Sequence, residues 1–149
     1  MTGRGLSPRL VADVAREIDA RRGARVRTAH QDGKLAFRLD LRGEEREDLV
    51  VALGHPFPRI HLAEPRPAPK TPSALAGTLR RLLKGTRIVA AHEVAGERAL
   101  QVTLRRGDED THLWVELLGG QANLYVVGAD GVVLLTPRVY VAKRRGASK

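Results

Sequence analysis

The sequence contains no cysteine. Disulfides, thiolate zinc sites and cysteine nucleophiles are therefore excluded, and nothing indicates a secreted protein built on disulfides. Long apolar runs are also missing. No stretch approaches the ~20 apolar residues that span a bilayer, and the N-terminus (MTGRGLSPRL) lacks the apolar core of a signal peptide. We therefore expect a soluble, cytoplasmic protein that makes no membrane contact.

Residues suited to catalysis or metal binding are scarce. Serine occurs only at positions 7, 73 and 148, and the first two positions fall at predicted helix starts. The five histidines do not form His-x-x-x-His or His-x-x-Glu-His motifs, the spacings typical of zinc sites. Neither a Walker loop nor a dinucleotide-binding glycine motif occurs. We predict no catalytic residue, no metal site and no cofactor, and hence no enzyme activity for this chain alone.

Aromatic side chains are also few. They are Phe37, Phe57, Trp114, Tyr125 and Tyr140. Proteins that bind single-stranded nucleic acid usually stack the bases on aromatic rings. Five scattered rings make a base-stacking surface a poor prediction and favour recognition of shape and phosphates.

Positive charge is in excess. The 26 Lys and Arg residues outnumber the 17 Asp and Glu residues, which gives a net charge of +9 and a pI near 10.9. Such a field attracts polyanions, and phosphate backbones are the commonest polyanions in a cell. Only five of the basic residues are lysine, a bias typical of a high-GC genome. That bias explains arginine in place of lysine but not the excess of positive charge, so the charge favours nucleic-acid contact.

The first helix is predicted from Ser7-Pro8 onward. Ser7 can cap the free backbone N–H groups, and proline suits the first helical position. Apolar residues then recur at helical spacing. We expect the helix to end near Arg22, with Gly23 just past it, and Glu17 to form an ion pair with Arg21 one turn along.

A series of strands follows the helix. Asp32-Gly33 is a typical hairpin turn. Residues 35–41 alternate between apolar and polar side chains, which predicts a half-buried antiparallel strand. Residues 49–53 and 59–62 indicate two more strands, and the acidic tract 44–47 indicates a loop between strands.

The second half begins with a proline-rich loop at 64–72 and a second helix. Thr71-Pro72 is predicted to open this helix, and Gly85 to end it. Five strands are then predicted at 86–94, 98–106, 111–118, 122–127 and 132–135. The sequence therefore predicts an α+β fold of mainly antiparallel sheets with two helices. We expect one domain at 1–138 and a basic tail at 139–149.

Four segments in order resemble the amino-terminal domain of the NFACT family. They are Leu6-Ser7-Pro8 with its helix and hairpin, HPFPRIHLAE at 55–64, TLRRLLKGTRI at 78–88 and LLGGQANLYVVGADGVVL at 117–134. The resemblance implies a fold similar to the catalytic domain of Fpg-type DNA glycosylases. Those enzymes use an N-terminal proline amine, whereas this chain has no proline before Pro8, so we expect no glycosylase chemistry.

The resemblance also implies a function. Full-length family members bind the large ribosomal subunit with peptidyl-tRNA still attached, and they recruit tRNA for C-terminal tailing in ribosome quality control. Their later helix-hairpin-helix, coiled-coil and second RNA-binding segments have no counterpart in this sequence. We therefore expect an RNA-binding module with tRNA and the large ribosomal subunit as partners, and no complete tailing activity.

The family's marker is an Asp-Arg pair at the start of a strand, and Glu97-Arg98 occupies the matching position. Glutamate in place of aspartate puts the tailing function in doubt more than RNA binding. By alternation, Arg98 lies on the apolar face of its strand, where its guanidinium needs an anion. Spacing alone favours an ion pair with Glu97 or Glu116, and the resemblance favours RNA. The chain also departs from the family pattern at residues 119–123, where many members have an arginine and a histidine before the asparagine.

A second group of candidate RNA contacts lies at the end of the second helix. It comprises Arg80, Arg81, Lys84 and Arg87. Cations near a helix C-terminus are stabilised by the helix dipole whatever their function. Four cations in eight residues exceed what the dipole requires, so phosphate contact and simple capping both remain open.

Two other functions remain open besides RNA binding. The chain could be a DNA-binding relic of the glycosylase-like fold, which a preference for duplex DNA over tRNA would reveal. It could also be a protein-interaction domain, since some family members are described as fibronectin binders at cell surfaces. The lack of an export signal argues against that last role.

Overall fold

The computed structural model describes residues 8–54, 57–95, 97–117 and 122–137. Within these residues the chain forms two helices, α1 (Pro8–Asp19) and α2 (Ala74–Leu83). The strands are β1 (Arg25–Gly33), β2 (Ala36–Arg42), β3 (Arg46–Ala52), β4 (Arg59–Ala63), β5 (Arg87–Val94), β6 (Ala99–Arg106), β7 (Glu109–Glu116), β8 (Asn123–Val127) and β9 (Val133–Leu135). The predicted cap at Ser7, the departure at 119–121, the boundary at 138 and the tail lie outside the described residues.

All the strands form one antiparallel sheet in the order β4-β3-β2-β1-β5-β6-β7-β8-β9. It consists of two meanders that join at β1 and β5, where Arg25 and Arg87 are the one pair of Cα partners. Backbone hydrogen bonds hold this junction together, including Val26 N–H to Thr86 O at 2.8 Å and Ile88 N–H to Ala24 O at 2.9 Å. The predicted α+β fold, mainly antiparallel with two helices, is therefore confirmed.

Both helices pack on the same apolar cluster. α1 contacts β5 and β6, and α2 contacts β1. Ile18 of α1 and Leu83 of α2 are fully buried and join apolar residues from every strand in one core. Each such side chain contributes roughly 1.5–3 kcal/mol when removed from water. One face of the sheet therefore packs against the core, and polar side chains lie on the opposite face.

The predicted end of α1 is wrong. The helix ends at Asp19, and a turn follows that ends at Gly23, which has a φ of 89°. The Asp19 carboxylate accepts a hydrogen bond from the backbone N–H of Ala91 on β5, 2.9 Å away, which ties the last residue of the helix to the sheet. The predicted Glu17–Arg21 pair does not form. Arg21 instead donates to both carboxylate oxygens of Glu47 at 2.8 and 2.9 Å, and Glu47 lies in β3 rather than in a loop.

The predicted start of α2 is also corrected. Its N-cap is Ser73, not Thr71: the Ser73 Oγ accepts a hydrogen bond from Ala76 N–H at 3.0 Å. The capping serine has an extended backbone (φ −139°, ψ 133°), which is typical of this position. At the other end Gly85 has a φ of 86°, a conformation that favours glycine and ends the helix as predicted.

The first hairpin differs from its prediction in two respects. Its turn lies at Lys34-Leu35, because Gly33 still pairs with Ala36 at the end of β1. In addition, β2 is buried on both faces rather than one: Arg38 and Asp40 are only 2% and 5% exposed. Alternation detects which face is apolar, but it does not detect that ion pairs cover the other face.

The polar face of β2, which carries Arg38, is covered by the proline-rich loop 64–72. Arg38 donates to the carboxylates of Asp32 and Asp48 at 2.7 and 3.1 Å. It also donates to the carbonyls of Arg66 and Pro67 at 3.0 and 2.6 Å. One arginine therefore satisfies polar atoms from two strands and the loop, and it anchors the loop on the sheet.

Candidate nucleic-acid interface

Glu97 and Arg98 lie in the turn between β5 and β6, and both side chains are exposed. Arg98 has a φ of 44° and is the one non-glycine residue with positive φ in the described residues. Its carbonyl accepts a hydrogen bond from Leu117 N–H at 3.0 Å, which holds this backbone in place. The strand begins at Ala99, and Ala99 and Leu100 are both buried. Arg98 therefore does not continue the alternation, and its expected place on the apolar face is wrong.

The intramolecular ion pairs considered for Arg98 do not form. Glu116 instead accepts a hydrogen bond from the Trp114 Nε1–H at 3.0 Å. Within the described part of the chain, the guanidinium of Arg98 has no hydrogen bond or ion pair with Glu97 or any other side chain. Its donors are therefore available to an external acceptor.

Arg80 has a structural role in the second candidate group. Its Nε donates to the Thr28 hydroxyl at 2.9 Å, and its Nη2 donates to the carbonyl of Ala29 at the same distance. The side chain is half-buried. These bonds fasten α2 to β1 and use donors that a phosphate would need.

Arg81, Lys84 and Arg87, the other members of this group, are exposed. The last carbonyls of α2 are capped by a residue distant in sequence: Arg106 donates through Nη2 to the carbonyls of Leu82 and Lys84. Helix capping therefore does not account for the three exposed cations. A local sequence pattern could not identify Arg106, because its contact depends on the β5–β6 pairing.

The two candidate groups lie at opposite ends of the same hairpin. Arg87 pairs with Arg105 at one end, whereas Val94 pairs with Ala99, next to Arg98, at the other. Arg105 is six positions after Ala99 along β6, which corresponds to about 20 Å at the usual rise per residue. The structure therefore does not bring Glu97-Arg98 and the helix-end cations into one site.

Arginines that the sequence analysis did not select align with Arg87. The Cα partners across successive strands are Arg46–Arg42, Arg42–Arg25, Arg25–Arg87 and Arg87–Arg105. Direct partners in an antiparallel pair place their side chains on the same face of the sheet. These five arginines are exposed, and we call them the arginine row. No sequence pattern reveals the row, since it depends on the register of five strands.

Two aspartates partly neutralise the arginine row. Asp40 accepts hydrogen bonds from Arg42 at 3.1 Å and from Arg27 at 3.0 Å. Burial alone would raise the pKa of Asp40, but these two hydrogen bonds and charges outweigh it and lower the pKa. Asp110 accepts a hydrogen bond from Arg105 at 2.6 Å, and this bond lowers the pKa of Asp110 as well. Both carboxylates therefore stay ionised at neutral pH.

Residues 8–54, 57–95, 97–117 and 122–137 contain no group of three or more His, Asp or Glu side chains placed to hold a metal ion. None of their helices is long and apolar enough to cross a bilayer.

Solved structures show the same fold. The N-terminal domain of the fibronectin-binding protein PavA from Streptococcus pneumoniae is 21% identical with a TM-score of 0.80, over 88% of this chain and 53% of that one. The N-terminal part of the fibronectin/fibrinogen-binding protein from Streptococcus suis is 21% identical with a TM-score of 0.77, over 84% and 50%. The fibrinogen-binding protein from Staphylococcus aureus is 15% identical with a TM-score of 0.74, over 86% and 49%.

This chain spans about half the length of those structures. At such identities the likeness concerns the fold alone. No curated protein matches the sequence. The family described as NFACT N-terminal and middle domains matches residues 9–145, which is nearly the whole sequence. The chain therefore belongs to the NFACT N-terminal and middle domain family, as the four sequence segments predicted.

Proposed function

We propose that the chain is a cytoplasmic RNA-binding module, that it contacts tRNA and the large ribosomal subunit through phosphates, and that it performs no chemistry of its own. The observation that supports this most directly is Arg98. Its guanidinium is exposed and unpaired within the described residues, on a backbone held at a φ of 44°.

The backbone conformation of Arg98 is a second reason to assign it a function. A non-glycine residue in the left-handed region costs of order 1 kcal/mol or more, and such strain is common at binding sites. Nothing in the surrounding contacts requires arginine at this position, since the Leu117 N–H bonds to its carbonyl rather than to its side chain. A planar guanidinium is well suited to bind a phosphate through two hydrogen bonds.

The exposed cations after α2 would extend the contact. Arg81, Lys84 and Arg87 form a second basic surface, and Arg80 holds α2 in position on β1. Because this surface is about 20 Å from Arg98, one RNA would have to cross the β5–β6 hairpin to contact both. Folded RNA of the size of tRNA is large enough to do so. Glu97, next to Arg98, would orient the arginine or repel misplaced phosphates rather than bind the backbone itself.

The proposal is tested by titrating labelled tRNA against the protein at several salt concentrations, beside duplex DNA of equal length and the Arg98→Ala variant. We expect tRNA to bind more tightly than DNA, and the affinity to fall as salt rises. Arg98→Ala should weaken binding and reduce the salt dependence by about one phosphate contact. If no structured RNA binds at low salt, the proposal is wrong. Equal binding of duplex DNA, with Arg98 irrelevant, would support the DNA-binding alternative.

A protein-interaction role is a second candidate. The structurally similar proteins from S. pneumoniae and S. suis are described as binding fibronectin or fibrinogen. In this chain Val132, just before the edge strand β9, and Val133 and Leu134 within it are 54%, 50% and 46% exposed. Edge strands with apolar side chains are suited to protein contacts. Immobilised fibronectin tests this role: binding that the Val133→Lys variant abolishes would favour it over RNA binding.

A further inference from the structure

The arginine row is a continuous basic line across the sheet. It crosses β3, β2, β1, β5 and β6 without a gap, because each member is the direct partner of the next. Neighbouring strands are about 4.8 Å apart, so the row extends over roughly 19 Å. It lies on the face opposite the core: Arg105 follows the buried Leu104, and Arg25 precedes the buried Val26. These five side chains are all exposed.

The row is unfavourable for the isolated fold. Like charges directly opposite one another on a sheet are destabilising, and the row contains four such pairs in succession. In the part of the chain that the structure describes, carboxylates form ion pairs with only two members of the row, Arg42 and Arg105. Arg25, Arg46 and Arg87 have no ion pair or hydrogen bond from their side chains within the described residues. An arrangement that the free protein does not neutralise is suited to an external polyanion.

We propose that the arginine row is a track for the sugar–phosphate backbone of RNA. This inference rests on the proposed function, and it adds four arginines, Arg25, Arg42, Arg46 and Arg105, that neither the family's Asp-Arg marker nor the basic surface after α2 includes. Arg87 belongs to both surfaces. A line of exposed guanidinium groups matches a line of phosphates, each of which can accept two hydrogen bonds from one arginine. No aromatic ring lies in the row, so it positions the backbone and does not read bases.

The acidic residues indicate where the track ends. Asp110 follows Arg105 in register on β7, and Asp108 and Glu109 lie in the same hairpin. Phosphates are repelled there, so the RNA must leave the sheet at β6. The strongest contacts are therefore expected at the centre, where Arg25 and Arg87 are adjacent and free of carboxylates.

The test compares two double variants that remove the same charge. Arg25→Gln/Arg46→Gln removes two members of the row that have no carboxylate partner within the described residues and that lie outside the basic surface after α2. Arg16→Gln/Arg59→Gln removes two exposed arginines elsewhere, one on α1 and the other at the far end of the sheet. Binding of labelled tRNA is measured from low to moderate salt. We expect the row variant to reduce the slope of log affinity against log salt by about two and the control variant to leave it nearly unchanged.

Each result distinguishes the row from the general function. Wild-type protein that binds no tRNA would refute the RNA-binding function itself. If the wild type binds tRNA and both double variants have equal slopes, the row is refuted but the RNA-binding function is not. If the row variant reduces the salt slope for duplex DNA as much as for tRNA, RNA is refuted as the specific occupant of the row. Melting curves check the fold, and if the double variant does not fold, Arg25→Gln alone must reduce the slope by about one.

Discussion

Arg25 and Arg87 face each other at the one Cα pair that joins the two meanders of the sheet. Two exposed cations therefore lie side by side at the junction between the two meanders. Backbone hydrogen bonds of 2.8 to 2.9 Å around Val26 and Ile88 hold this junction despite the repulsion. The fold tolerates the charge pair, and its removal gives a direct measure of what the pair costs.

The first prediction is that Arg87→Gln stabilises the protein. At low salt the free energy of unfolding should rise by about 0.2–1 kcal/mol, because a like-charge cross-strand contact is lost. The gain should vanish near 1 M salt, where the Debye length falls to about 3 Å. Thermal melts at both salt concentrations measure the effect. Arg59→Gln, in β4, is the control and should show no such salt-dependent gain; a less stable Arg87→Gln protein at low salt would contradict the prediction.

The second prediction concerns the buried ion pairs of β2. Arg38→Met should destabilise the protein by about 3–5 kcal/mol, because it leaves the buried carboxylate of Asp48 without its cation. Urea denaturation measures this loss. The cost comes mainly from the unpaired charge, so Arg38→Met/Asp48→Leu should regain a large part of the stability.

A matched control separates the buried contact from the exposed one. Asp32 also pairs with Arg38, but its side chain is 21% exposed compared with 2% for Asp48. Asp32→Asn should therefore cost about 1 kcal/mol or less. If the double variant proves as unstable as Arg38→Met alone, the anchoring of the proline loop, rather than the charge of Asp48, is the main contribution of Arg38.

The sequence was sufficient where a structural signal is local. Leu100, Val102 and Leu104 alternate with polar residues, and all three are buried on one face of β6. Gly85 ends α2 because a left-handed residue is needed there. Helices, strands and their antiparallel order follow from such periodicities and turns, and the family follows from ordered segments of the same kind.

The sequence was insufficient where a structural feature depends on pairing between distant segments. Arg38 was assigned to an exposed face because alternation cannot show that a loop 28 residues away covers it. The hydrogen bond that ties the end of α1 to β5 joins Asp19 and Ala91, which are 72 positions apart in the sequence. Arg98 departs from its strand through a positive φ that no pattern indicates. The arginine row requires the register of five strands, and its members are far apart in sequence.

The third prediction decides between two candidate caps for α2. Ser73→Ala should cost about 1 kcal/mol, because it removes the hydrogen bond from Ala76 N–H to the Ser73 hydroxyl. Thr71→Ala should change stability by less than about 0.5 kcal/mol, since Thr71 is exposed and lies outside the helix. Chemical denaturation of the two variants checks this. A larger loss for Thr71→Ala would support the start that the sequence predicted.

The last prediction is a pH dependence from the Arg21–Glu47 ion pair. Hydrogen bonds from Arg21 lower the pKa of Glu47 below its ordinary 4.5, against the opposing effect of partial burial. The folded protein therefore binds fewer protons at this site than the unfolded chain. The stability that the pair contributes is complete above pH 4.5 and is lost as the pH falls through the lowered pKa.

Glu47→Gln removes this contribution, so it should lower the urea midpoint at pH 7, and the difference in midpoint from wild type should narrow as the pH falls below 4.5 and through the lowered pKa of Glu47. The matched control is Glu17→Gln. Local spacing assigns Glu17 to Arg21, but in the structure only its backbone carbonyl accepts from that arginine, at 3.3 Å. The difference in urea midpoint between Glu17→Gln and wild type should be small and nearly independent of pH. A larger, pH-dependent effect at Glu17 than at Glu47 would mean that Arg21 pairs along the helix in solution, and that α1 is not tied to β3 by this contact.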